Sequence, residues 1–293
     1  MNSNFSLNKR IILGTAQFGS LYGVANKNKA SISKKDCIKI LNFCKKNKIR
    51  HIETARNYNN SEKKLGESGI HNFNIITKIP KLNLRLSNFK IAKQINNYYL
   101  QSCSNLRTKK IYALLLHRGE QLLSKKGDII YNSLLMLKKQ KLVSKIGISV
   151  HDPLCLKKII KKYQLDIAQV SFNILDNRIY NLNIVNFLKQ KNVKIYCRSI
   201  FLQGLLLMKS YKIKMYLRKR LQSFFLNTAD KLKNKLNLCL SHVFSHKEID
   251  KFIIGIDNLD QLKEISKILK ILTLKKYTHY QTNNLKIIDP LKW

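Results

Sequence analysis

The sequence predicts a (β/α)8 barrel, in which eight parallel strands close into a cylinder and each strand is followed by a connecting segment. Eight short apolar runs recur over the 293 residues, with segments of helical periodicity between them. The runs are almost continuously hydrophobic, which is typical of parallel strands that helices cover. An open doubly wound sheet is the alternative, but the G-x-G-x-x-G fingerprint of its dinucleotide-binding form does not follow the first run. No linker-like segment divides the chain, so residues 1–293 are predicted to form one domain.

The predicted strands are short runs of apolar and β-branched residues. In chain order they are residues 11–18, 51–55, 74–79, 112–117, 144–150, 167–172, 193–201 and 252–256. The predicted helices have apolar residues three and four positions apart. They are residues 33–48, 86–105, 127–141, 153–162 and 228–240, with a final helix over 259–270. Ser33 and Asp36 form a capping-box pattern at the start of the first helix.

The charge balance is strongly basic. The chain has 56 Lys and Arg against 16 Asp and Glu, a formal net charge of +40. Nucleic-acid binders concentrate basic residues on one face or helix, whereas here Lys is spread over the whole length and Arg contributes only 10 of the 56. Compositional drift toward Lys, Asn and Ile is therefore the favoured interpretation, and no specific nucleic-acid partner is expected. Attraction of an anionic substrate, polymer or membrane is the alternative.

The six cysteines show neither C-x-x-C nor C-x-x-H spacing, and several lie inside apolar runs. A reduced cytoplasmic protein without a zinc site is the natural interpretation. The amino terminus is polar and lacks the apolar core of a signal peptide. No uncharged apolar stretch reaches the roughly 18 residues of a membrane span.

Four chemically distinct side chains come at or just after the ends of three consecutive predicted strands. Glu53 lies at the end of the second strand with Tyr58 five residues later, Lys78 lies at the end of the third strand and His117 ends the fourth. Taken singly, each has a structural explanation, as a solvated lysine, a half-buried histidine or a packed tyrosine. Because reactive groups in such barrels gather at the carboxyl ends of the strands, their joint placement favours a catalytic site.

Further segments match a known enzyme family in order and spacing. They are residues 13–19, 53–58, 61–66, 77–78, 115–118, 147–149, 169–173, 203–206 and 255 with 261–262. With these segments the chain resembles the aldo/keto reductases over roughly residues 9 to 270. Residues 13–19 followed by 21–26 look most like bacterial members associated with sugar or surface-polysaccharide pathways.

The resemblance implies reduction of an aldehyde or ketone by a nicotinamide dinucleotide, without a metal. NADPH is the expected cofactor by family habit, with NADH as the alternative. Tyr58 matches the proton donor, Lys78 the cation beside it, Glu53 the acidic partner of that lysine, and His117 the residue that orients the carbonyl oxygen. The matching cofactor-binding segments contain Ser149, Gln169, Asn173, Arg198, Ser199, Gly204, Gly255, Asp257 and Gln261.

These roles agree with elementary chemistry. Hydride arriving at a carbonyl carbon leaves negative charge on the oxygen, so hydrogen-bond donors aimed at that oxygen lower the barrier. A free tyrosine has a pKa of about 10, and we expect the Lys78 ammonium to lower the pKa of Tyr58. Glu53 would balance the buried charge of Lys78.

Four positions depart from the family pattern. Glu53 stands where the family has Asp, and Asn59 stands where it usually has Gly. Arg198 replaces a tyrosine that stacks on the nicotinamide in many members, and it could stack there or reach an acidic group of the substrate. Asp257 would repel the 2′-phosphate of NADPH. Because Glu53 replaces the usual Asp, a catalytically silent barrel with a binding or regulatory role is an alternative function. The basic charge alone motivates a third hypothesis, a nucleic-acid-associated protein.

Overall fold

Eight parallel strands form a closed barrel in which every strand pairs with its neighbours in the sequence, and β1 pairs with β8 to complete the cylinder. The computed structural model describes residues 4–26, 30–209, 212, 213, 215, 219, 221 and 235–293. The strands are β1 (Ile11–Gly14), β2 (His51–Glu53), β3 (Asn74–Ile79), β4 (Ile111–Leu116), β5 (Val143–Ser149), β6 (Ile167–Ser171), β7 (Lys194–Arg198) and β8 (Lys251–Gly255). The predicted (β/α)8 barrel is thereby confirmed.

Helices connect the strands on the outside of the barrel. They are α1 (Ala16–Gly19), α2 (Lys34–Lys46), α3 (Ser61–Ser68), α4 (Asn88–Leu106), α5 (Gly127–Lys139), α6 (Pro153–Lys162), α7 (Arg178–Asn181), α8 (Ile184–Gln190), α9 (Lys235–Phe244), α10 (Leu259–Ile271) and α11 (Leu285–Ile288). Short 3-10 segments lie at Asn4–Arg10, Gly119–Leu123, Leu205–Leu207 and Pro290–Lys292. None of the described helices combines the length and apolar composition needed to cross a membrane.

Local sequence signals set the starts of several helices. The Ser33 hydroxyl accepts a hydrogen bond from the Asp36 amide at 3.1 Å and donates one to the Asp36 carboxylate at 2.7 Å, as a capping box should. Asp152 caps α6 by accepting from the Leu154 amide at 2.9 Å, with Pro153 as the first helical residue. Asn258 caps α10 in the same way.

The strand predictions fail at two carboxyl ends. The first predicted strand ran over residues 11–18, but β1 ends at Gly14 and α1 follows at Ala16. The seventh ran over 193–201, but β7 ends at Arg198 and Ser199 has a positive φ of 62°. Apolar residues continue past both ends because they pack in the loops at the barrel mouth. Helices α3 and α8 were not predicted, and residues 228–234 of the predicted helix 228–240 lie outside the described residues.

Apolar side chains pack on both faces of the barrel wall. The larger cluster lies between the barrel and its helices, and the smaller fills the barrel interior. The interior cluster consists of Ile12, Ile76, Ala113, Leu115, Ile167, Tyr196 and Ile253. The interior is thus packed rather than open, as in other barrels of this kind.

The segment after α10 is held by hydrogen bonds to α9. The Ser241 hydroxyl donates to the Thr273 carbonyl at 2.6 Å, and Nδ1 of His242 accepts the Tyr277 amide at 3.0 Å. His242 is fully buried, and its Nε2 has no described partner. Burial lowers the pKa of His242 to about 3, with further lowering by His246 and Lys276. The imidazole is therefore neutral in the folded protein.

We expect His242 to make the fold sensitive to acid. Its folded-state pKa lies below the unfolded value of about 6.5, so the unfolded chain binds more protons and stability falls as the pH drops below that value. The contribution lost by pH 5 is about 2 kcal/mol. Denaturant unfolding at pH 7 and pH 5 should therefore show a smaller difference for His242→Gln than for the wild type. The matched variant at the exposed His71, His71→Gln, should behave as the wild type. Equal pH differences in all three proteins would contradict the assignment.

Candidate active site

Polar residues lie directly above the apolar interior layer, at the carboxyl end of the barrel. Alternate residues of a strand point to the same face, and the interior positions Ile76, Leu115, Ile167 and Tyr196 are each followed two residues later by a polar residue. Those residues are Lys78, His117, Gln169 and Arg198, and Glu53 ends the neighbouring strand β2. Strand periodicity thus brings a carboxylate, an ammonium, an imidazole, an amide and a guanidinium to one mouth of the barrel.

Glu53, Lys78 and Tyr58 are in direct contact. The Lys78 ammonium forms a buried ion pair with Oε1 of Glu53 and donates to the Tyr58 hydroxyl at 2.9 Å. The Tyr58 hydroxyl is also 3.4 Å from Oε1 of Glu53, and the Gln169 amide reaches the same oxygen at 3.5 Å. Both members of the ion pair are almost completely buried. The predicted convergence of these three groups is therefore present in the structure.

His117 completes the group. Its ring is perpendicular to that of Tyr58, with the centroids 6.0 Å apart, and its Nδ1 is buried without a described partner. Burial lowers the pKa of His117 to about 3, and the positive charges of Lys78 and Arg198 add to the effect. A neutral imidazole carries one N–H donor, so His117 can donate a hydrogen bond but does not act as a strong acid.

The pKa shifts differ from the sequence expectation for Tyr58. Burial raises the pKa of the Tyr58 phenol, and Arg198 opposes this increase only in part. Burial also lowers the pKa of Lys78 well below its ordinary value, and Arg198 lowers it further. Both shifts arise because a charged group loses its hydration in a site from which water is excluded. The expected lowering of the Tyr58 pKa is wrong in sign, and the phenol is protonated at neutral pH.

A buried cluster of hydroxyl groups holds the loop that carries Tyr58. The Ser61 hydroxyl donates to the Thr15 side chain at 2.8 Å and accepts from Thr54 at 3.1 Å. Thr15 in turn bonds the Glu53 carbonyl through its hydroxyl at 2.9 Å. Because buried hydroxyl groups need partners, these bonds fix the end of β2 against the end of β1. The Tyr58 loop is thereby anchored at both ends.

Gly19, the last residue of α1, lies against the backbone of Tyr58. A Cβ at this position would lie 1.7 Å from the Tyr58 carbonyl oxygen and 2.8 Å from the Ser61 amide nitrogen. We expect Gly19→Ala to displace the Tyr58 loop, lowering kcat at least roughly 10-fold and stability by about 2 kcal/mol. Gly69→Ala is the matched control, since its Cβ meets nothing within 4 Å but Gly69 has a positive φ of 84°. It should lose stability only, and kinetics with thermal melts would separate the two. Unchanged kcat in Gly19→Ala would contradict this role.

A cavity of about 1000 Å³ opens beside Glu53 and Tyr58, while Lys78 and His117 lie behind its lining. Glu53 and Tyr58 line its inner end, and most of the predicted cofactor residues line the remainder. These are Arg198, Ser199, Gly204, Gly255, Asp257 and Gln261. Gly14 and Gly255 also line the cavity, where a Cβ would lie 3.0 Å from Cγ2 of Ile253 and 2.8 Å from Nε2 of Gln17, respectively. The cavity is at the upper end of the size range of ligand pockets.

Three predicted cofactor residues do not line the cavity. Ser149 is buried at the end of β5. The side-chain amide nitrogen of Gln169 donates to Glu53, and the side-chain oxygen of Gln169 is buried without a described partner. The Asn173 amide donates to the Ser199 carbonyl at 3.1 Å and accepts from the Leu175 amide at 2.9 Å. Asn173 is therefore connected to the cavity only through its hydrogen bond to Ser199. Its side-chain polar atoms form hydrogen bonds with the loops and do not face the cavity.

Sequence reasoning missed residues on the opposite wall. Gln17 lines the cavity, and its side-chain oxygen is buried without a described partner. The loop after β1 approaches the loop after β7 across the cavity, since a Cβ on Gly204 would lie 2.5 Å from that of Ala25. Gly204 has a positive φ of 85°. The motif G-T-A-Q-F-G over residues 14–19 could have marked Gln17, but no local pattern predicts the approach of two distant loops.

Comparison with known proteins agrees with this geometry. The model of the aldo/keto reductase family matches residues 10–287. The chain belongs to the aldo/keto reductase family. This family comprises oxidoreductases that reduce carbonyl compounds with a nicotinamide dinucleotide, as the resemblance implied. No curated protein matches the chain significantly.

Solved structures of aldo/keto reductases share the fold. The holo form of AKR11C1 from Bacillus halodurans is 17% identical over 92% of this chain and 94% of that chain, with a TM-score of 0.69. Its apo form is 18% identical over 85% of each chain, with a TM-score of 0.66. PA4992 from Pseudomonas aeruginosa, provisionally assigned as an aldo-keto reductase, is 18% identical over 90% of each chain, with a TM-score of 0.66.

Two departures from the family pattern have a structural account. Asn59 has a φ of 47°, in the left-handed region that Asn tolerates better than most residues. Glu53 forms the ion pair with Lys78 despite its additional methylene group. In the part of the chain that the structure describes, no cluster of three His, Cys, Asp or Glu residues could hold a metal ion.

Proposed function

We propose that this aldo/keto reductase reduces a sugar-like aldehyde or ketone to the alcohol with NADPH, and that Tyr58 is the proton donor. The observation that carries the proposal is the buried contact of Glu53, Lys78 and Tyr58 at the inner end of the cavity. Burying a lysine with its carboxylate costs desolvation energy that their attraction repays only in part, so the pair supports a functional rather than a stabilising role. Six free cysteines support a reducing compartment, and we include the cytoplasm in the proposal.

The four groups divide the chemistry between them. The reduced nicotinamide, when bound, supplies the hydride that reduces the carbonyl carbon. As negative charge develops on the carbonyl oxygen, the Tyr58 hydroxyl and a neutral N–H of His117 donate hydrogen bonds to it. Tyr58 then transfers its proton to that oxygen, and the Lys78 ammonium at 2.9 Å stabilises the phenolate that remains. Glu53 keeps Lys78 protonated and in place.

The residues of the cavity fit a dinucleotide. Gln17 lines the cavity and Gln169 reaches Glu53, and the buried side-chain oxygens of both residues have no described partner. Helix α10 begins at Leu259, between the cavity-lining residues Asp257 and Gln261, so its amino-terminal amides favour a phosphate group there. Lys209 and Lys235 add positive charge along the outer part of the cavity.

The choice between NADPH and NADH depends on the outer end of the cavity. Asp257 and Glu264 line it, and both would repel the 2′-phosphate of NADPH, so NADH is a second candidate. The lysines of the same wall act in the opposite direction. Comparing kcat/KM for the two cofactors decides the question, and a clear preference for NADH would overturn this part of the proposal.

The activity itself is tested with a panel of aldehydes, ketoses and nucleotide-activated sugars, followed by the absorbance of the reduced nicotinamide. Oxidation of the cofactor with at least one compound is the expected result. Fluorescence of bound NADPH provides an independent measure of cofactor binding. Binding without turnover of any compound would favour a catalytically silent barrel with a regulatory role, and loss of both would end the proposal.

A further inference from the structure

Arg198 forms no ion pair with a carboxylate of the residues that the structure describes. Its guanidinium donates to the Ser199 hydroxyl at 3.1 Å and to the Val150 carbonyl at 3.2 Å, and both partners are neutral. Among the described residues, no carboxylate oxygen lies within 4.0 Å of it. Two hydrogen bonds also leave donors of the guanidinium free, since it has five. A partly buried cation without a counterion is costly, and such a cost indicates a missing anion.

The carboxylates of Asp176 and Asp289 act on Arg198 only beyond ion-pair distance, and they do not offset the lowering of its pKa by burial. Asp176 holds Arg178 in a two-pronged pair with both distances at 2.8 Å. Asp289 lies 3.8 Å from His151. Arg118, another arginine of the same rim, is partly exposed and lies 3.8 Å from Glu120. The other arginines of this mouth each have a carboxylate partner, Arg56 included at 3.6 Å from Glu62, whereas among the described residues Arg198 has none within 4.0 Å.

Arg198 also lies beside the reacting groups. It lines the cavity together with Tyr58 and Glu53, and it ends β7 one strand away from Gln169. Its positive charge reaches far enough to lower the pKa of Lys78 and of His117. An anion bound by Arg198 would thus lie a short distance from the carbonyl group that Tyr58 protonates.

We propose that the substrate of this enzyme is an anionic carbonyl compound, and that Arg198 binds its carboxylate or phosphate group. This inference rests on the proposed function, because it names the substrate class of the same site. Guanidinium groups match the geometry of both oxyanions through paired N–H donors. The arginine then acts as a specificity determinant, since a neutral compound leaves its charge unpaired.

The test uses pairs of substrates that differ in charge. Succinic semialdehyde is compared with butanal, and glyceraldehyde 3-phosphate with glyceraldehyde, which distinguishes carboxylate from phosphate. We expect kcat/KM to favour the charged member of at least one pair by roughly 30-fold in the wild type, as loss of a charge-assisted hydrogen bond predicts. In Arg198→Gln the ratio should fall to within about 3-fold. Arg198→Lys should keep part of the preference. The matched variant Arg118→Gln removes a charge from the same rim and should keep all of it.

Three results would overturn the inference. They are equal rates within both pairs for the wild type, a preference that survives in Arg198→Gln, and a loss of NADPH affinity in Arg198→Gln with an unchanged ratio. The last result would show that Arg198 binds an anionic group of the cofactor and not of the substrate. If no compound is turned over, the proposed function fails separately, and calorimetry still tests the anion site. Binding of 4-hydroxybutyrate, but not of 1-butanol, should then require Arg198, and equal binding in the Gln variant would exclude it.

Discussion

Tyr58→Phe is expected to lower kcat by roughly 10³-fold, because the variant keeps the ring and loses the only hydroxyl in contact with Lys78 among the described residues. The phenol is the acid in this site, since burial holds the pKa of Tyr58 above its ordinary value and the pKa of His117 at about 3. A neutral imidazole cannot replace it as a proton donor of comparable strength. Single-turnover kinetics with a reactive aldehyde measures the effect on the chemical step.

The controls for Tyr58→Phe separate chemistry from packing. Affinity for NADPH, measured by fluorescence, should change little because the ring itself remains. Tyr131→Phe is a matched variant outside the site, where the hydroxyl donates to the Gln164 carbonyl at 3.2 Å, and it should retain the wild-type kcat. A Tyr58→Phe enzyme within about 10-fold of the wild type would remove the phenol from the mechanism and leave His117 or a water molecule as the acid.

The arrangement of strand ends could be predicted from the sequence because it follows from local periodicity. Lys78 and His117 each lie two residues beyond an interior apolar residue, so alternation along a parallel strand places them at the mouth of the barrel. Closure of the sheet then brings neighbouring strands together. Glu53, at the end of the shortest strand, is placed by the same rule. Strand order and side-chain alternation were therefore sufficient to predict which of these groups lie together.

What the sequence could not predict depends on contacts between distant segments. The raised pKa of Tyr58 comes from burial, and burial is set by all the elements packed around the phenol rather than by the lysine beside it. The role of Asn173 depends on where Ser199 lies after β7, and the lining role of Gln17 depends on Gly255 across the β1–β8 seam. That Arg198 has no ion-pair partner among the described residues is visible only once the positions of Asp176 and Asp289 are known.

The carboxylate of Glu53 is the second group whose removal should have a large effect. Glu53→Gln preserves the shape of the side chain but leaves Lys78 buried without a negative partner. Breaking a buried pair in this way costs about 3–5 kcal/mol, and the lysine avoids that cost by losing its proton. Burial and Arg198 already lower the pKa of Lys78, so removal of the carboxylate acts in the same direction. A neutral lysine cannot stabilise the phenolate of Tyr58, and we expect kcat to fall by roughly 10²-fold.

The variant Glu53→Asp tests whether the charge or the length of this side chain determines the rate. It keeps the negative charge and places it where the family pattern has Asp, so we expect kcat equal to or above that of the wild type. Oε1 of Glu53 contacts Lys78, Tyr58 and Gln169 together, and a merely structural role would make both substitutions damaging through loss of these contacts. The pH profile of kcat decides between the two roles, because a change confined to packing leaves its apparent pKa values in place, whereas loss of the carboxylate shifts them. Equal rates and profiles for the wild type and Glu53→Gln would show that the ion pair holds the fold without taking part in proton transfer.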